Sequence, residues 1–285
     1  MHNKLESAQD TSPGGNAPEP GIIASLVTHL RVSIVATIVL AAIVCGVYPL
    51  VVWGLAQAAF PHKANGSLIG KDGGPVSDEK DAVGSSLIGQ NFADARYFHP
   101  RPSSAGNGYD ATASGGSNLG PTSAKLLNGT TKKDDKGNEV VDFDGIELRV
   151  VHYCVDNGVA YDSSVPLDKF KDAQGNLDDV KLIKAFNDDK VPLTFAAKEP
   201  VPADAVTGSG SGLDPHISVD YVKAQVKRVA TARGIASEKV WELVGRMTEQ
   251  PDLGILGEPR VNVLALNLAL DRMSPLPTTA PATAP

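Results

Sequence analysis

Between Arg31 and Lys63 lies a run of 29 residues, Val32 to Phe60, without a formal charge. A helix of about 20 apolar residues crosses the hydrocarbon core of a bilayer, so this run spans with room for tilt. A chain carrying it must either place it in lipid or lose it. Ala56-Gln57-Ala58 resembles a signal-peptidase box, but the apolar part of a cleaved signal is only about 7–15 residues long. A retained transmembrane helix over 29–60 is therefore expected. Tyr48 and Trp53 suit an interfacial belt, and Pro49 marks a kink or the end of the buried part. Flanking charge does not settle orientation: Arg31 precedes the span, and Lys63, Lys71 and Lys80 follow it. That count favours a cytoplasmic C-terminal side, but long segments are translocated largely regardless of charge.

The remainder is long enough for a core of its own. Of 285 residues, 42% are hydrophobic and only 5% aromatic, and 28 Gly with 20 Pro point to many turns. The net charge of −7 is uneven: residues 129–200 hold 10 Lys and Arg against 15 Asp and Glu, five of the seven negative charges. An acidic chain without a basic block is unsuited to nucleic acid, whose binding needs cations to displace counterions. Cys45 and Cys154 lie far apart in sequence, one of them inside the span, which excludes a disulfide framework and a cysteine zinc site.

Residues 1–28 and 275–285 read as disordered tails. After the span come two echoes, Gly66-Ser67-Leu68-Ile69-Gly70 and Ser85-Ser86-Leu87-Ile88-Gly89, expected to form two short strands around a polar loop. Residues 90–127 are turn-rich, with Pro100 and Pro102 holding Arg101 extended and Gly115-Gly116 permitting a tight turn. In 129–200, Ile146–Val155 reads as a strand by its β-branched and aromatic content. The segment as a whole reads as a small extra lobe with solvated acidic loops, because no calcium-loop spacing is present. The C-terminal part is helical: one helix capped by Ser218 and stopped at Gly234, one capped by Ser237, and a third over Val261–Leu270. The residues alone thus give a single transmembrane helix followed by an α+β extramembrane domain.

Chemistry-bearing motifs are sparse. Ser114-Gly115-Gly116-Ser117-Asn118 offers a nucleophile turn or an anion nest, but no partner base is fixed by spacing. Gly208 to His216 looks like a phosphate loop yet lacks the Gly-Lys-Ser/Thr ending. His99, His152 and His216 are too scattered for a metal site.

An ordered series of blocks is more specific. Gly46-Val47-Tyr48-Pro49-Leu50, Ala64-Asn65-Gly66-Ser67-Leu68-Ile69, Tyr97-Phe98-His99-Pro100-Arg101-Pro102-Ser103, Ser114 to Pro121, Gly212 to Ser218, Gln225 with Arg228-Val229-Ala230, and Val261-Asn262-Val263 through Asp271 together resemble the KdpC family, accessory subunits of the Kdp potassium-transporting P-type ATPase. The resemblance covers 30–128 and 201–273, so the domain is expected in two pieces, 61–128 and 201–274, interrupted by a family-atypical acidic insertion over 129–200. It implies a non-catalytic accessory subunit in a bacterial plasma membrane, crossed once, with the large C-terminal domain extracytoplasmic. Its implied partners are the lipid bilayer, the ATP-hydrolysing subunit and a potassium-channel-like subunit. The implied role is that of a catalytic chaperone raising ATP affinity, with no tightly bound cofactor or metal and ATP reached through the complex. Gln225 matches a glutamine proposed to touch the nucleotide, although an extracytoplasmic domain and ATP lie on opposite faces of the membrane. Partner contacts are expected at Gly46, Tyr48, Pro49 and Gly54 in the span and at Arg96, Tyr97, Phe98, Arg101, Ser114, Gly115, Gly116, Ser117 and Asn118 in the domain. A membrane-anchored hydrolase using Ser114 or Ser117, or a scaffold module, is the alternative.

Overall fold

The apolar run is one long helix in the computed structural model, which describes residues 21–275. It comprises α1 (Ile22–Ala41), a π-helical segment (Ala42–Val47) and α2 (Tyr48–Ala59). The candidate span Ser25–Ala59 has 35 residues and a mean hydropathy of 2.6, and its apolar window buries nothing against protein. A helix this long and apolar on every side fits a single membrane span. It starts at Ile22, inside the tail expected over 1–28, because no Gly or Pro interrupts the chain between Gly21 and Gly46. The rest of that tail, and 276–285, fall outside the described residues. A short helix, α3 (Pro61–Ala64), closes this first unit, and from Asn65 onward the chain is a second compact unit.

The second unit opens with an antiparallel pair, β1 (Leu68–Gly70) and β2 (Ala82–Ser85), in register Leu68↔Ser85. The two echoes do lie side by side, Ser85 donating through Oγ to Gly66 O at 2.7 Å and Ser86 N–H reaching Ser67 O. Only the first echo is a strand, however, since β2 ends at Ser85 and the rest of the second echo turns away. Then follow α4 (Ala124–Asn128), the hairpin β3 (Thr130–Lys133) with β4 (Glu139–Phe143), α5 (Gly145–Asn157), β5 (Tyr161–Ser163), α6 (Asp179–Phe186), β6 (Phe195–Ala197) pairing with β5, and α7 (Ala203–Val206). The chain finishes with β7 (His216–Ser218), α8 (Val219–Arg233), α9 (Ser237–Met247), β8 (Thr248–Glu249), β9 (Arg260–Asn262) and α10 (Val263–Met273), in an antiparallel sheet ordered β7-β9-β8.

Three further expectations for the second unit need correction. Ile146–Val155 is helix, not strand: Leu148, Val151 and Cys154 recur every three residues on the buried side, and Gly158 stops the helix in the left-handed conformation. Burial of that stripe outweighs β-branched propensity. Ser237 is the first residue of α9 rather than its cap, that position falling to Ala236. Nor do residues 129–200 make a lobe. Leu148, Val151, Leu182 and Ile183 share one apolar cluster with Phe98, Val222, Val229, Val240, Leu266 and Leu270. Its acidity stays in solvent, where Asp134 and Asp172 each accept two backbone N–H groups at 2.8–2.9 Å in matching turns. Ser218, by contrast, caps α8 as expected, its Oγ accepting Tyr221 N–H at 3.1 Å.

Candidate functional site

Arg96 to Ser103 has no strand or helix partner to satisfy its backbone, and two side-chain amides take that place. Asn267, on α10, accepts Phe98 N–H through Oδ1 and donates from Nδ2 to Phe98 O, both at 2.9 Å. Gln225, on α8, accepts His99 N–H through Oε1 at 2.7 Å and donates from Nε2 to His99 O at 3.1 Å. Two consecutive residues thus have both main-chain groups paired by carboxamides that are 1% and 0% exposed. Buried main-chain groups must be paired, so this double clamp is what lets an irregular segment run through the core with Phe98 fully buried.

Arginines from α8 finish the clamp. Arg228 donates from Nη1 to Ala95 O at 2.7 Å and Tyr97 O at 3.0 Å, and from Nη2 to Gln225 Oε1 at 2.6 Å. Arg233 donates to Arg96 O and to Asp271, whose other oxygen accepts the Tyr97 hydroxyl at 3.1 Å, and it stacks 4.8 Å from the Tyr97 ring centroid. Arg96 turns outward to Asp94, and this bond holds the Asp94 carboxyl at about 2.

Farther along, Arg101 pairs with Asp214 at 3.0 Å and reaches Thr207 O and Gly208 O, tying the segment to the 207–214 loop. Ser114 to Gly116 lie on that same loop: Gly115 N–H donates to Ser211 O at 2.8 Å and Ser114 Oγ to the same carbonyl at 3.0 Å. Gly115-Gly116 makes no tight turn, and the positive φ falls at Asn118, at 54°. The structure therefore gathers Arg96, Tyr97, Phe98, Arg101, Ser114–Ser117 and Gln225 around one backbone scaffold. Gly46, Tyr48, Pro49 and Gly54 belong to the separate helical unit.

Little in this arrangement supports chemistry on a substrate. A nucleophilic serine needs a base within hydrogen-bond reach. Among the described residues, Ser114 Oγ donates to a carbonyl and Ser117 Oγ faces Leu119 N–H, with no titratable partner for either. Gln225 has both amide atoms committed to His99 and Arg228. Behind His99 lies a cavity of about 370 Å³ lined by Asp144, Asp156, Asp179 and Arg149, but Arg149 is bound to Asp144 and Val206 O. His152 also lines the cavity but is bound to Asp179 at 2.8 Å. Three carboxylates against an arginine and a histidine already paired to two of them have the wrong balance for a polyphosphate.

Burial and the nearby Arg228 push the His99 imidazole below its usual range, against the weaker pull of Asp94 and Asp156. The unfolded chain therefore binds a proton that the folded one resists, so stability present at neutral pH is lost as pH falls below about 6.5. His152, raised by its bond to Asp179, contributes in the opposite sense. The expected result is that His99→Gln shrinks the drop in Tm between about pH 7.5 and about pH 5.5, measured on the full chain in detergent. An equal drop in both proteins would exclude His99 as the acid-sensitive group.

Sequence reasoning missed Asn267, Arg228 and Arg233 as clamp members. Asn267 left a trace, an amide in the middle of the apolar stretch Val263–Leu270. Also missed was a loop tip pinned by the Asp252–Leu256 backbone pair, where Leu253 is 89% and Ile255 82% exposed. Its signal is apolar residues between glycines in Asp252-Leu253-Gly254-Ile255-Leu256-Gly257, where a solvated loop is ordinarily polar.

Comparison with known proteins follows the same outline. The family model described as KdpC, K+-transporting ATPase, c chain, matches residues 30–144 and 173–272. The "Potassium-transporting ATPase KdpC subunit" of Nitratidesulfovibrio vulgaris is 41% identical over 250 residues, 87% of this chain and 96% of the relative. That of Myxococcus xanthus is 42% identical over 91% of this chain and 94% of its own length. That of Mycobacterium tuberculosis is 42% identical over 80% and 89%. The family match runs through 144 and resumes at 173, so the stretch outside it is 145–172, much narrower than the 129–200 expected to depart.

Proposed function

Because the chain belongs to the KdpC family, the c chain of K+-transporting ATPases, we propose that it is a non-catalytic accessory subunit that steadies the complex and raises the ATP affinity of the ATP-hydrolysing subunit. The observation that carries this reading is the double amide clamp. Polar side chains of α8 and α10 that could have lined a reactive cleft are turned inward to hold the 96–103 backbone. Such a segment is built to present a fixed surface, and binding surfaces are commonly loops held by a rigid scaffold. Arg96, Tyr97, Arg101 and Ser114–Asn118 are then its contact residues, and the apolar tip at Leu253 and Ile255 adds area that favours burial in an assembly.

The helix Ser25–Ala59 crosses the bacterial plasma membrane once, with the domain from Asn65 on the extracytoplasmic side beside the potassium-channel-like subunit. ATP acts through the partner subunit rather than at a site on this chain. Mild-detergent capture of the full chain followed by partner identification tests the assignment. Co-elution with a P-type ATPase and a channel-like membrane protein is the expected outcome, and labelling of Ser114 or Ser117 by a serine-directed phosphonate without such partners would replace it with the hydrolase reading.

Packing of the span adds a specific expectation. A Cβ at Gly46 or Gly54 meets nothing within 4 Å in the isolated chain, so both leave room for a neighbouring helix to approach closely. Gly46→Leu should reduce co-purification of the partner subunits about tenfold. Assembly at the wild-type level would remove Gly46 from the interface.

A further inference from the structure

The π-helical segment Ala42–Val47 leaves a main-chain acceptor without a donor at the middle of the span. Tyr48 N–H, which in an α-helix would bond Val44 O, is drawn to Ile43 O. The next residue is Pro49, which has no N–H, so the wider π-helical partner of Val44 O does not exist either. Depth makes this serious. Every stretch of about 20 residues drawn from Val32–Phe60 contains Val44, so its carbonyl lies in hydrocarbon wherever the helix is seated. A carbonyl without a donor there is disfavoured by several kcal/mol.

The chain cannot repair this locally. Hydroxyl and carboxamide side chains are the ones that bond a carbonyl one turn away, and between Val39 and Leu55 there is no Ser, Thr, Asn or Gln. Tyr48 holds its hydroxyl at the far end of a rigid ring, and Trp53 lies more than two turns on. Around the carbonyl, Val44, Tyr48, Val52 and Leu55 are all exposed, a face open to a neighbour.

We propose that the Val44 carbonyl is an intramembrane anchor for a transmembrane helix of a partner subunit, one bearing a Ser, Thr, Asn or Gln donor at mid-membrane depth. The inference rests on the accessory-subunit reading, since it needs a partner in the same membrane. A second copy of this chain is the poorer occupant, because at that depth it presents only the Tyr48 phenol and the weakly donating Cys45 thiol.

Pro49→Ala restores the missing N–H and lets the helix run α through the notch, so the anchor disappears while the span remains. Measured in the full complex, co-purification of Pro49→Ala with the partner subunits should fall roughly 3- to 15-fold. With Val44 isotopically labelled at its carbonyl, the amide stretch should lie lower in the assembled complex than in the chain alone in a bilayer. Loss of assembly in Gly46→Leu with none in Pro49→Ala, and no shift of the Val44 band, would overturn the anchor while keeping helix packing. If neither variant affects assembly, the packing reading falls with it. Efficient Cys45–Cys45 cross-linking in the assembled complex would place a second copy on this face and also overturn the proposal.

Discussion

Gln225→Leu should lower the stability of the chain by about 4 kcal/mol, seen as a fall in Tm of about 10 °C. The magnitude follows from what is left behind. Leucine fills the space but pairs with neither His99 N–H nor His99 O, and an unpaired buried group costs about 1–3 kcal/mol each. Arg228 also loses its acceptor at 2.6 Å. Asn267→Leu should cost a similar amount, because it strips Phe98 of the same two bonds. The pair separates two roles for Gln225. If its function is the clamp, both variants change the apparent ATP KM of the assembled complex alike, or neither does. A KM that rises for Gln225→Leu alone would restore direct nucleotide contact, whereas an unchanged Tm in both would dismiss the clamp.

Both amides sit in parts of the molecule that differ in how far the residues alone reveal them. The long apolar helix was legible, because 29 uncharged residues without an internal break other than Pro49 favour one continuous helix of spanning length. So were α8 and its cap, because Ser218, the stripe Val222, Val226 and Val229, and Gly234 all agree. The α5 helix was misread because its β-branched residues speak for strand, and only the partners that bury Leu148 and Val151 decide otherwise. Likewise the excess of charge in 129–200 suggested a separate object. Charge counts describe a surface, and they are silent about the apolar stripes of α5 and α6 that join the core.

The site was legible only in part. Tyr97 to Ser103 stood out as a sequence block, and Gln225 as another, 126 positions apart in the His99–Gln225 bond. No spacing rule links an amide on one helix to the backbone of a distant extended segment, so the clamp emerges only in three dimensions. The Ser114–Asn118 motif shows the reverse. Its glycines suggested a nest for an anion, yet Gly116 serves the close approach of one backbone to another, a Cβ there standing 3.2 Å from Gly210 O.

That close approach yields the second large effect. Gly212 sits at φ 68°, and a Cβ there would stand 2.6 Å from Gly115 O and 2.8 Å from Ala105 N. Both obstacles are main chain and cannot rotate away. Gly212→Ala adds the left-handed penalty of about 1–2 kcal/mol to that overlap, so a loss of about 3–5 kcal/mol is expected. Relief comes most readily by pushing out the 114–118 loop, with loss of the Gly115 N–H bond to Ser211 O and strain on Ser103 Oγ to Gly212 O, now 2.6 Å. If that loop contacts a partner subunit, Gly212→Ala weakens co-purification beyond what its lower Tm explains, even in the cold where the domain stays folded. Gly210→Ala, two residues away with nothing within 4 Å of its Cβ, is the control and should match wild type in both assays. A Gly212→Ala chain that melts lower but assembles normally would detach the loop from the interface and leave the surface to the 96–103 segment.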